Sequence, residues 1–309
     1  MELIAPGIHQ IDTLLGGMDR MTAGFLLDGS QPALVETGSQ SSVGAVRDAL
    51  TDAGLGPDDL RWIIVTHIHL DHAGGVGDMA AAFPNATVVV HERGARHLLD
   101  PSRLIDSAAR VYGPLLDGLY GRMLPVAQDR LIAAADGHRV DLGDGHHLTM
   151  VDSPGHAKHH HAVLDEATGT LLVGDAVGVK LPDFGVLRPA TPPPEFDLEQ
   201  ATTSLRRFAE LRPERVVLTH YGPVDEPLET LAEAEEMLHQ WVEVADRTMR
   251  ESEEAGIDDV AAALAEAFAS APPDLAADVR EKFEVLNGVH SNAAGIVRYL
   301  KNRQPAVAE

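Results

Sequence analysis

The chain has 309 residues, no cysteine and a formal net charge of −24. Without cysteine there is no disulfide, no thiolate metal site and no cysteine nucleophile, so any metal must be held by imidazole and carboxylate. A surface this acidic repels phosphate backbones and anionic headgroups, so neither a nucleic-acid nor a membrane partner is expected.

Hydrophobic residues make up 44% of the chain, an ordinary globular share. Residues 1–7 show no basic stretch followed by an apolar run, and no apolar run reaches membrane-spanning length. The expected location is therefore cytoplasmic.

Strands are predicted over residues 7–12, 24–28 and 32–36, the last two joined by a turn at Gly29-Ser30-Gln31. Residues 43–53 have helical spacing and end at Gly54. Residues 61–66 are short, apolar and β-branched, as a buried strand would be. A helix over 77–83 and a strand over 87–90 follow. Residues 93–124 are helical in character, with Leu98, Leu99, Leu104, Ile105, Leu115, Leu116 and Leu119 among Arg and Asp. They interrupt a run of strands and read as an insertion over one edge of the core.

Strands resume at 139–142 and 147–152, turned by Asp144-Gly145, and at 162–165 and 170–174, turned by Ala167-Thr168-Gly169. A proline-rich loop at 189–194, a helix over 198–211 and a buried strand over 215–219 complete this part. Beyond 228 the spacing is helical: 228–256, 257–270, a break at Pro272-Pro273, then 278–286 and 293–302, with a frayed end. Two strand-rich halves, about 1–92 and 137–220, followed by helices predict an α/β sandwich with a helical tail.

The strongest local signal is Thr66-His67-Ile68-His69-Leu70-Asp71-His72-Ala73-Gly74-Gly75, directly after a predicted strand. In extended backbone His67 and His69 point the same way, while Asp71 and His72 lie where the chain turns. Imidazole and carboxylate without thiolate suit zinc, iron or manganese. Three further candidates each follow a predicted strand: His156 in Ser153-Pro154-Gly155-His156, Asp175 after Gly174, and His220 after Thr219.

The set His-x-His-x-Asp-His, then Gly-His, Gly-Asp and a strand-end His resembles the metallo-β-lactamase superfamily over about residues 1–225. The resemblance implies an α/β fold, the αββα sandwich, with residues 226–309 as a helical extension and the 93–124 insertion within the catalytic domain. It assigns His67, His69 and His156 to one divalent ion and Asp71, His72 and His220 to the other, with Asp175 bridging. Zinc leads iron and manganese. Ser153 to His160 is similar to the corresponding stretch of glyoxalase II-like enzymes and lactonases, with Ala157 and His159 as departures. Glu36-Thr37-Gly38 stands where the family has Asp-Thr-Gly. Glu36 and His160 are expected to orient ligands.

The activity this implies is hydrolysis of an ester, thioester or lactone of small-molecule size by a hydroxide shared between the ions, with Asp71 holding metal and helping to move the proton. No Gly-x-Ser-x-Gly elbow offers a serine nucleophile. Tyr112, Tyr120, Lys158, Lys180 and Tyr221 are candidate pocket residues, each weighed against plain packing or solvation. His159 and His161 read as surface or packing residues. Two alternatives use the same donors: a di-iron redox or oxygen-binding protein, and a phosphodiesterase of small substrates. The helical tail either covers the pocket or forms a homodimer.

Overall fold

The computed structural model describes residues 1–252, 254–268 and 277–303. Its contacts divide the chain into two units. The first comprises residues 1–152, 159–174 and 213–224; the second comprises 153–158, 175–212 and 225–309.

The first unit holds two sheets. Strands β1 (Glu2–Ala5), β2 (Ile8–Asp12), β3 (Ala23–Leu27), β4 (Ala33–Val35), β5 (Trp62–Ile64), β6 (Thr87–His91) and β7 (Leu131–Ala134) form a seven-stranded sheet in chain order. Pairing is antiparallel from β1 to β4 and parallel from β4 to β7. Strands β8 (Arg139–Gly143), β9 (His146–Asp152), β10 (His161–Asp165), β11 (Thr170–Leu172), β12 (Arg215–Leu218) and β13 (Gly222–Pro223) form the second sheet. Only its β11–β12 pair is parallel.

One apolar cluster takes side chains from both sheets, including Phe25, Leu27, Val35, Ile64 and Val89 from the first and Leu142, Met150, Val163 and Val217 from the second. Their chain neighbours Leu26, Leu34, Ile63, Val88 and Val90 are equally buried but lie outside that cluster. Alternation sends these to the opposite face. There α3 (Val76–Ala82) packs on β5 and β6, and α1 (Val43–Asp52) on β2 and α3. Burial on both faces explains why β5 and β6 read as unbroken apolar runs rather than alternating ones.

The expected sandwich is therefore present, with differences at its margins. Strands β1, β7 and β13 are additions to the expected set. β1 carries only one buried residue and β7 two half-buried residues beside an exposed one, so neither has a core pattern to read. The insertion is three helices: α4 (Ala95–Leu99), α5 (Ser102–Tyr112) and α6 (Leu115–Leu119). α4 contacts the edge strand β7. The insertion closes on residues 40–42: Ser41 Oγ donates to the Leu119 carbonyl (2.7 Å) and Ser41 N to the Tyr120 carbonyl (3.3 Å). The Gln40 side chain also accepts from Arg122 N (2.5 Å).

The second unit is helical, with α7 (Leu198–Leu211), α8 (Pro227–Glu251), α9 (Ile257–Ala267), α10 (Ala277–Asn287) and α11 (Val289–Arg303). Asp197 caps α7 by accepting from Gln200 N at 2.9 Å. Pro227 opens α8 at a position that needs no N–H. α8 ends at Glu251, short of the expected 256, and α11 begins at Val289, ahead of the expected 293. The Pro272-Pro273 break, the end of the predicted 257–270 helix and the frayed terminus lie outside the described residues. Among the described residues no helix is long and apolar enough to cross a membrane.

Candidate metal centre

β5 ends at Ile64, and the histidine motif begins two residues later. His69 keeps extended backbone and caps α2 (Leu70–Ala73), the single turn that carries Asp71 and His72. Thr37 fixes this turn from outside: its N and its Oγ1 both donate to the His72 carbonyl, at 3.0 and 2.9 Å. β12 ends at Leu218, and His220 follows it.

Asp71 Oδ2 lies 3.6 Å from His72 Nε2 and 3.6 Å from His220 Nε2, and the two imidazole nitrogens are 3.2 Å apart. The other nitrogen of each ring is engaged elsewhere. His72 Nδ1 donates to Glu36 Oε1 at 3.1 Å, and His220 Nδ1 donates to the Met21 carbonyl at 2.7 Å. Carbonyl and carboxylate are acceptors only, so each ring carries its proton on Nδ1 and presents an unprotonated Nε2. Three lone-pair atoms facing one another are stable only around a cation or an added proton. Ligand atoms on a tetrahedral ion at its usual bond lengths stand about 3.3–3.5 Å apart. The triangle has that size, so the donors fit a divalent cation.

Glu36 is central to this arrangement. It is fully buried. Besides His72, its carboxylate accepts from Thr66 Oγ1 at 2.5 Å and from Thr66 N at 3.3 Å. With its proton on Glu36, the Thr66 hydroxyl oxygen is left to accept from His67 Nδ1 at 3.0 Å. One carboxylate thus orients His72 directly and His67 through a hydroxyl. His67 Nε2 in turn lies 2.9 Å from His69 Nδ1.

His160 is fully buried with its ring centroid 5.0 Å from that of His67. Gly174 has φ +52°, and a Cβ there would fall 2.5 Å from His160 Nε2 and 2.7 Å from Thr66 Oγ1. The turn that leads toward Asp175 therefore has room only for glycine. His159, expected to be peripheral, lies 6.2 Å from His67 and 5.7 Å from His69 between ring centroids. His161 is buried at the start of β10, as a packing residue would be.

In the second unit, His156 Nε2 and Asp175 Oδ2 are 3.5 Å apart, and His156 Nδ1 donates to the Ala190 carbonyl at 3.0 Å. The same logic leaves Nε2 of His156 unprotonated on the side of Asp175.

Of the pocket candidates, Tyr112 and Tyr120 pair with ring centroids 4.6 Å apart. Burial first, and then the charge of Asp71, push the Tyr112 hydroxyl above its usual pKa; a hydrogen bond from Tyr120 acts in the opposite sense. The Asp71 effect puts Tyr112 within electrostatic reach of the centre. Tyr221 packs against the inter-sheet core and its hydroxyl is hydrogen-bonded to Gln10. Lys158 is exposed and Lys180 half-buried. Thr66 and the carbonyls of Met21 and Ala190 are functional groups that the sequence reading misses. Thr66 stands inside the motif and is legible there; a backbone carbonyl has no residue-type signal.

The superfamily profile described as metallo-beta-lactamase matches residues 19–220. ST1585, a metallo-beta-lactamase fold-containing protein of Sulfurisphaera tokodaii, is 31% identical over 170 residues, 54% of this chain and 62% of that protein. The chain thus aligns in sequence with about three fifths of that relative's length. In three dimensions the ST1585 crystal structure covers 94% of this chain and 98% of its own, with TM-score 0.69 and 25% identity. TTHA1429 of Thermus thermophilus, a metallo-beta-lactamase family protein, shares the fold with TM-score 0.71 at 21% identity, over 96% of this chain and 94% of its own. A stretch of 48 residues is 38% identical to the N-acyl homoserine lactonase AttM of Azorhizobium caulinodans, 16% of this chain and 17% of that one. Joined to the histidine and aspartate cluster at the strand ends, these likenesses mean that the chain belongs to the metallo-β-lactamase superfamily.

Proposed function

We propose that the protein is a dinuclear metal-dependent hydrolase of a small ester, thioester or lactone. The observation that carries this reading is the Asp71–His72–His220 triangle, whose two imidazoles are already committed by their Nδ1 protons to present Nε2. In this reading Asp71, His72 and His220 hold one ion, His67, His69 and His156 hold the other, and Asp175 is shared. Zinc is the metal the reading favours. The lactonase named among the relatives supports a carbonyl substrate, as does the glyoxalase II-like stretch around His156.

When bound, paired divalent ions bring a water to a pKa of about 7 and polarise a carbonyl oxygen. The protein supplies the rest. Asp71 turns Oδ2 to the ligand triangle, which leaves Oδ1 to carry a proton from the attacking water to the leaving oxygen or sulfur. Tyr112, a phenol whose pKa burial and then Asp71 raise further, can donate a hydrogen bond to charge developing on the carbonyl oxygen. Glu36 keeps His72 directly, and His67 through Thr66, in one tautomer throughout.

The test is elemental analysis of the purified protein, followed by assays on esters, thioesters and lactones. Near two zinc ions per chain with turnover supports the proposal. Asp71→Asn should then lower kcat by about a hundredfold or more. Two iron ions with an oxygen-sensitive absorbance band, or bound zinc without turnover on the whole panel, would overturn it.

A further inference from the structure

The helical extension contains a polar cluster whose purpose is not explained by its own packing. Asn292, on α11, is 3% exposed. Its Oδ1 accepts from Thr191 N at 2.6 Å and from Thr191 Oγ1 at 3.0 Å. Its Nδ2 donates to Asn287 Oδ1 at 2.9 Å. Asn287 in turn donates from Nδ2 to the Pro189 carbonyl at 3.1 Å. Arg188 completes the set: its Nη1 donates to the Asn287 carbonyl at 3.0 Å and pairs with Glu284 at 3.3 Å, while its guanidinium lies over the Phe283 ring. α11 also presses on the loop sterically, since a Cβ at Gly295 would fall 1.9 Å from the Thr191 carbonyl oxygen.

The residues from Arg188 to Thr191 therefore bracket one carbonyl, that of Ala190, and it is this carbonyl that accepts from His156 Nδ1 at 3.0 Å. Pro189 and Thr191 are held on either side of it by the extension. A buried amide whose oxygen is given over to one loop residue would be costly to place there for packing alone, because an apolar residue avoids the desolvation. Arg188 is tied by a backbone bridge to Val179, but from Pro189 onward the loop is irregular and proline-rich, with no strand pairing to set the direction of its carbonyls.

We infer that Asn292 is a positioning residue for metal binding: through Thr191 it fixes the Ala190 carbonyl, which fixes the tautomer and aim of His156. The C-terminal extension is then part of the metal-binding machinery, an account that favours neither a pocket cover nor a dimer surface. The inference rests on the metal-binding reading above and goes beyond it in assigning a role to residues far in sequence from every proposed ligand.

The experiment measures zinc stoichiometry and the two affinities by chelator competition on the full chain, with circular dichroism as the check on folding. His156→Ala marks the loss of one ion. Asn292→Ala is expected to weaken one of the two ions by about tenfold or more and leave the other unchanged. Asn292→Asp, which keeps the acceptor for Thr191, is expected to restore most of that loss. Tyr299→Phe, which removes a bond from the same helix to Glu199, should leave both affinities alone. Should Asn292→Ala not fold, Gly295→Ala, which displaces the Thr191 carbonyl, carries the same expectation. A wild-type chain that binds no metal would overturn the hydrolase reading itself. Folded Asn292→Ala or Gly295→Ala protein with both affinities unchanged would overturn this inference and leave that reading standing.

Discussion

Glu36 Oε1 lies 3.1 Å from His72 Nδ1, and neither side chain is exposed to solvent. A buried carboxylate facing an imidazole N–H raises the ring's basicity and removes its rotational freedom. Partners of this kind are worth about ten- to a hundredfold in metal affinity. Glu36→Gln is expected to lower affinity by that amount while keeping the volume of the side chain. Chelator competition measures it, and an affinity within about twofold of wild type would show that His72 is held by the backbone alone.

Metal removal should cost stability as well as activity. The native state alone brings the lone pairs of His72, His220 and Asp71 together, and without a cation or an added proton they repel one another. Zinc at about a hundred times its dissociation constant stabilises a protein by about 2.7 kcal/mol, for a chain of 309 residues a rise in Tm of about 4 °C. A thermal melt with and without chelator tests this. An unchanged Tm would mean that the donors do not act together.

His161 provides a pH prediction. Burial, and next the neighbouring His91, lower its pKa from 6.5 to about 3. The folded state therefore keeps it neutral where the unfolded chain would take up a proton. Stability from this group is complete above about pH 6.5 and falls as pH drops toward about 3, by about 2 kcal/mol at about pH 5. His161→Asn should lose that part of the slope. Denaturant midpoints from neutral to mildly acid pH, compared for the two proteins, read it out; parallel curves would refute the assignment.

Tyr112→Phe removes a hydroxyl that feels the charge of Asp71, and Tyr112 is not itself a proposed ligand. Since the ring is only half-buried, folding and metal content should stay as they are. The expected loss is about ten- to a hundredfold in kcat, with KM little changed. Steady-state kinetics on whichever carbonyl substrate turns over decides it, and a wild-type kcat would return Tyr112 to a packing role.

The parts of the molecule that are legible in the sequence share one property: residue type alone defines them. The His67–His72 run, His220 after an apolar strand and the β5 and β6 runs declare themselves because imidazoles and β-branched residues are chemically distinctive. Strand β1 is not legible because three of its four residues face solvent or its margin, and β13 because two residues carry no period. The acceptors that set the ring tautomers, at Met21 and Ala190, are backbone atoms brought close from 199 and 34 positions away, so only the folded chain reveals them. Glu36 is marked by its place in the motif as an orienting carboxylate. Its link to His67 through Thr66 emerges only from the fold.

Residues 36–42 have a double attachment. At one end Glu36 and Thr37 hold the turn bearing His72; at the other, Gln40 and Ser41 hold the far end of the insertion at Leu119, Tyr120 and Arg122. Between its anchors the insertion carries α5, which has no fully buried residue. Up to Tyr112 such a helix can be recut residue by residue at little thermodynamic cost, whereas its moorings cannot. Divergence in what the protein accepts should therefore accumulate along α5, and the segment from 36 to 42 should resist change even though no proposed ligand lies within it.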